Sequence, residues 1–130
     1  MPFMIMEHEV DPKQKLLEEL GDLSDVEIYG NQLLVAVYVR PEKTKSGLLL
    51  SSQTRDQDPF QSKVGLVVKM GPDAFYDPNE KWFKGVSVNL HDWVVSRPAD
   101  GWSITVNNVL CRLIEDVNIK GATKHPDSVW

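Results

Sequence analysis

Two apolar, β-branched runs, residues 33–39 and 64–70, flank a long polar stretch, and this arrangement constrains the fold more than any other feature of the chain. In the first run Leu33, Val35, Val37 and Val39 alternate with Leu34, Ala36, Tyr38 and Arg40, and Pro41 ends it. That density of β-branched residues, free of Gly and Pro, predicts a strand. Both of its faces are apolar, so it is expected to be central or covered. The second run, Val64-Gly65-Leu66-Val67-Val68-Lys69-Met70, predicts another strand, closed by Gly71-Pro72-Asp73. Residues 43–63 between them show neither a period of two nor one of 3.6, and they far exceed the roughly 4–6 residues of an ordinary connection. Yet directly after Gly47 they carry a bare apolar triplet, Leu48, Leu49 and Leu50. Two readings stand open. The triplet tucks back onto the core as a short strand, or it is a tethered linear motif that docks into an apolar groove of another protein and orders as it binds.

The rest of the chain continues the β pattern. Residues 86–88, 93–95, 102–106 and 109–114 read as short strands, with residues 116–119 as an extension of the last. Turn signals separate them: Asp77-Pro78-Asn79-Glu80, Asn89-Leu90-His91-Asp92, Pro98-Ala99-Asp100-Gly101 and Asn107-Asn108. Short strands at such spacing predict a small all-β barrel or sandwich over residues 32–119, with the long loop at 41–63. Residues 1–31 form an extension with one short helix. Asp11 is its expected N-cap, Pro12 its first residue, Gln14 is placed to reach back to the cap, and Gly21 is the stop. Leu16, Leu17 and Leu20 make one apolar stripe. A helix this short does not stand alone in water, so the stripe must lie on the main domain or on a neighbour, and the three leucines are candidate interface residues. Residues 120–130 read as a tail, loose or bound to a partner, ending in Trp130.

Composition excludes several classes. With 130 residues, 42% hydrophobic and 25% charged, the chain suits one globular domain. A net charge of -5 argues against nucleic acid as a partner. No apolar run approaches the roughly 18 residues of a membrane span. The start lacks a basic region and a cleavage site, so no signal peptide is expected. The single cysteine, Cys111, lies in an apolar run and reads as a small buried hydrophobe in a reducing, cytoplasmic setting. His8, His91 and His125 are too scattered for a metal site. No nucleophile motif or phosphate loop occurs, so neither catalysis nor a cofactor is expected. Trp82, Trp93, Trp102 and Trp130 are expected in the core or at interfaces, with Trp102 and Trp130 as the interface candidates.

The order of features resembles the GroES-type co-chaperonins, the chaperonin-10 family. The residues that carry the resemblance are Lys43-Thr44-Lys45-Ser46-Gly47-Leu48-Leu49-Leu50, then Gly65-Leu66-Val67-Val68-Lys69-Met70-Gly71, then Leu90-His91-Asp92-Trp93-Val94-Val95, and then Asp100-Gly101-Trp102-Ser103. A looser match closes the pattern at residues 109–117. The chain departs from the family at both ends, at His91 where the family has Gly, and at residues 75–83, an aromatic excursion in place of the roof hairpin. Its Gly-Pro-Asp-Ala-Phe and Asp-Trp-Val-Val segments look like those of GroES-like proteins encoded by tailed phages.

The resemblance implies a GroES-like β-barrel with a mobile loop, assembled as a homo-oligomer, a heptamer. It implies that Gly47, Leu48, Leu49 and Leu50 form the partner-binding motif and dock on a chaperonin ring to assist folding, of capsid proteins if the chain is phage-encoded. The alternative on the same fold is a virion structural protein, a cement or decoration subunit bound to the major capsid protein. Location follows: cytoplasm for the first, virion for the second.

Overall fold

The computed structural model describes residues 11–38, 62–79, 81 and 83–126. Its elements are α1 (Pro12–Leu20), β1 (Gln32–Val37), β2 (Val64–Met70), β3 (Trp93–Val95), β4 (Gly101–Val106), β5 (Val109–Glu115) and β6 (Gly121–Thr123), with 3-10 turns at Pro98–Asp100 and Asp116–Asn118. The strands form one antiparallel sheet in the order β4-β5-β1-β2-β3-β6. The all-β expectation, with one short helix, holds.

β1 is central, as its two apolar faces require. One face carries Leu34, Ala36 and Tyr38 beside Val64, Leu66, Val68, Trp93, Val109 and Cys111. The other carries Leu33 and Val35 beside Val67, Val94 and Ile114. Between β1 and β2 the register shifts, with Leu34 opposite Lys69 but Val35 opposite Val67. Val68 is therefore an extra residue, a β-bulge. The bulge reverses the side-chain parity beyond it, so Met70 joins the face of Val67 and Lys69 turns to the opposite side, where its Nζ donates to the Val26 carbonyl.

α1 closes the first face. Leu16 and Leu20 are buried in that cluster, with Leu17, Leu23, Val26 and Ile28 packed around them. The short helix thus finds the apolar surface it needs within its own chain. Asn107 of the β4–β5 turn holds its end, donating from Nδ2 to the Leu20 carbonyl at 2.6 Å. Gly21 stops the helix with φ +64°. The N-terminus differs from expectation: the Asp11 side chain makes no capping bond, and Gln14 donates forward to Glu18 at 3.3 Å instead of back to the cap.

Three further segments depart from the sequence reading. Residues 86–88 are not a strand. Past Leu66 the free edge of β2 is already occupied, because the Val67 carbonyl accepts from His91 at 2.7 Å and the Val67 amide donates to Asp92 at 3.0 Å. Residues 116–119 turn instead of extending β5, because the Asp116 side chain is tied elsewhere. It accepts from Asn31 Nδ2 at 3.0 Å and from the Phe75 amide at 2.9 Å. The turn brings the Lys120 amide to the Val95 carbonyl at 2.8 Å, so part of the expected tail, Gly121–Thr123, pairs with β3 as an edge strand.

Candidate functional site

The long connection between β1 and β2 leaves and re-enters the sheet at one end, and its two roots are firmly held. On the entry side the Tyr38 amide donates to the Val64 carbonyl at 3.0 Å. The Tyr38 ring meets Trp93 edge-on, centroids 5.6 Å apart at 68°. Such a pair contributes about 0.5–1.5 kcal/mol beyond its buried area. On the exit side Ser62 is fully buried and its hydroxyl donates to the Val64 carbonyl at 3.1 Å. Arg112 Nη1 donates to the Ser62 carbonyl. The next carbonyl, of Lys63, accepts from the Ser96 amide at 2.9 Å.

The proposed docking residues themselves, Gly47, Leu48, Leu49 and Leu50, lie outside the described residues, as does Trp130. Of the other interface candidates, Leu16 and Leu20 spend their surface inside the chain's own core and present none to a neighbour, while Leu17 is half-buried beside them. Trp102 is different. It stands 73% exposed on β4, which among the described residues is an edge strand paired with β5. Trp93 is core, and Trp82 lies outside the described residues. Arg112 escaped the sequence reading, although a signal was present: it is the one charge inside the apolar run 109–114.

Among the described residues no polar centre competes with the β1–β2 connection for the role of site. Among the described residues no group of three or more His, Cys, Asp or Glu is placed to hold a metal ion. Cys111 is buried, and desolvation pushes its thiol up to about 11, away from thiolate chemistry. Burial also lowers the Arg112 pKa. At the surface Arg97 grips Asp100 with two bonds of 2.9 and 2.8 Å, which hold the Asp100 carboxyl below its ordinary range and pin the turn leading into β4. No helix among the described residues is long and apolar enough to cross a membrane.

These features define a class: a small all-β scaffold whose two central strands are joined by a long connection held at both roots. The family model Chaperonin 10 Kd subunit matches residues 25–123, well over half of the chain, and the protein belongs to that family. Membership carries a co-chaperonin type of function in general, that of a non-enzymatic subunit which oligomerises and partners a chaperonin. No curated protein matches the chain.

Proposed function

We propose that the protein is a ring-forming co-chaperonin whose loop docks on a chaperonin through Gly47, Leu48, Leu49 and Leu50. The observation that carries this reading is the pairing of a family match over residues 25–123 with rigid roots at Tyr38 and Ser62. Rigid roots with an aliphatic triplet between them suit a motif that is presented to a partner. Burying one Leu contributes about 1.5–3 kcal/mol. Ordering the loop costs roughly 1–2 kcal/mol per residue. A single loop therefore binds weakly, while several loops on one ring bind together through effective concentration. Weak individual docking also permits release when the chaperonin changes state. A seven-membered ring is the assembly in which these loops act together, and capsid proteins are the proposed clients, on the phage-like segments around residues 71–75 and 92–95.

A synthetic peptide of residues 43–63 tests the docking step. In the large excess that a single weak site requires, it competes with the full chain for a purified bacterial chaperonin, and the same peptide with Leu49→Asp does not. Equal competition by both peptides removes the leucine triplet from the mechanism.

One observation favours a second reading, a virion cement subunit on the same fold: Trp102 stands exposed on the edge strand β4, where a neighbouring capsid subunit could cover it. Mass spectrometry finding this chain in stoichiometric amounts in purified virions decides for that reading.

A further inference from the structure

We propose that Arg112 is a positioning residue for the loop: from the interior of the sheet it fixes the exit at Ser62, and so sets how tightly the loop docks. The inference rests on the docking function proposed above.

Arg112 sits on β5 opposite Val35 of β1 and opposite Ser103 of β4. It is only 3% exposed. Neighbours at the same parity, Val35 and Ile114, belong to the second core face, where an aliphatic residue would pack without a desolvation cost. Replacing buried charges by well-packed apolar side chains is often neutral or stabilising, so burial alone does not account for a guanidinium here. Among the described bonds, the guanidinium supplies a charge-assisted donor to the carbonyl of Ser62, the buried residue just outside β2. The Ser62 hydroxyl turns inward to Val64 and the Lys63 carbonyl is bound to Ser96. Among the described residues, the bond from Arg112 lies nearest the loop of those that fix the direction in which the chain enters the sheet. Without it the anchor recedes towards Val64, and at least one more residue must be ordered each time the loop docks. Ordering one residue corresponds to about a tenfold loss in affinity per loop.

The test uses the full chain with Arg112→Met, which keeps the bulk, and Arg112→Lys, which keeps a donor. Amide hydrogen exchange over residues 62–70 reads the anchor, and binding to a purified bacterial chaperonin reads its consequence. Arg112→Met is expected to keep cooperative unfolding, to exchange about tenfold faster at the head of this stretch, residues 62–64, and to bind about tenfold more weakly. Arg112→Lys is expected to fall between Met and wild type in both. Leu49→Asp serves as the control: it abolishes binding and leaves exchange over residues 62–70 unchanged. Unaltered exchange in Arg112→Met, or Lys performing no better than Met, overturns the proposal. If Arg112→Met does not fold, Arg112→Lys decides alone, and wild-type exchange and affinity in it also overturn the proposal. A wild-type chain that fails to bind the chaperonin overturns the docking function and the affinity part of this inference together, and the exchange data then judge the hold on Ser62 separately.

Discussion

At Gly71 a β-carbon would stand 2.3 Å from the Gly30 carbonyl oxygen. The obstacle is backbone that is itself bonded, since the Gly30 carbonyl accepts from Asp73 at 2.9 Å and the Gly71 amide donates to Gln32 at 2.8 Å. Gly71→Ala therefore lowers stability by about 1–3 kcal/mol or more, measurable by chemical denaturation. His91 presents the opposite case. Its φ of +70° lies where L-residues pay about 1–2 kcal/mol, and it occupies the position where the family pattern has Gly. Gly there relieves the strain but loosens the unfolded chain by about 0.4–1 kcal/mol. His91→Gly is expected to equal wild type or exceed it by up to about 1 kcal/mol, and His91→Val to lose more than about 1 kcal/mol, because a β-branched residue tolerates this region poorly. Cys111 gives a pH dependence. Burial raises its pKa from 9.0 to about 11, so the folded chain keeps a proton that the unfolded chain releases. Stability from this group is intact below pH 9 and declines as pH rises towards 11. Denaturation midpoints across that range check it, with Cys111→Ala flattening the slope.

At the scale of the element, α1 is held by packing, by one turn and by the Gly21 amide on the Leu17 carbonyl, and not by an N-cap side chain. Leu20 is 1% exposed, so Leu20→Ala should cost about 2–5 kcal/mol. Asn107→Gly keeps the left-handed turn conformation but removes the donor to the Leu20 carbonyl. It is expected to speed exchange in residues 12–21 more than in the sheet. The sequence made the strands and the helix legible because each rests on a local signal: β-branched runs at residues 64–70 and 93–95, or Asn107-Asn108, whose φ values of +49° and +67° suit a two-residue hairpin turn. The misreadings arose where a distant partner decides. Residues 86–88 carry the right residue types but find the edge of β2 taken. Asp116 is drawn into a turn by Asn31 and Phe75, far away in sequence. Gly121–Thr123 has too little apolar content to announce a strand, and it becomes one only because Lys120 is delivered to Val95.

For the whole molecule, the family was legible in the order of motifs and strands, and the anchors of the β1–β2 connection were not. The triplet Leu48-Leu49-Leu50 stands out in a polar segment, whereas the anchors at Tyr38, Ser62 and Arg112 come from three separate places and meet only in the fold. The exposed edge at Trp102 also belongs to this scale, since an uncovered edge strand invites a neighbouring chain. Trp102→Lys is expected to weaken self-association in sedimentation while leaving the unfolding free energy within about 0.5 kcal/mol of wild type, as for most surface substitutions. The central claim is that a rigid β scaffold presents the leucine triplet to a chaperonin. Electron microscopy of a purified bacterial chaperonin mixed with this chain tests it most directly. The account predicts a ring of copies capping the chaperonin with wild type and bare chaperonin with Leu49→Asp; bare chaperonin with both, or equal capping by both, contradicts it.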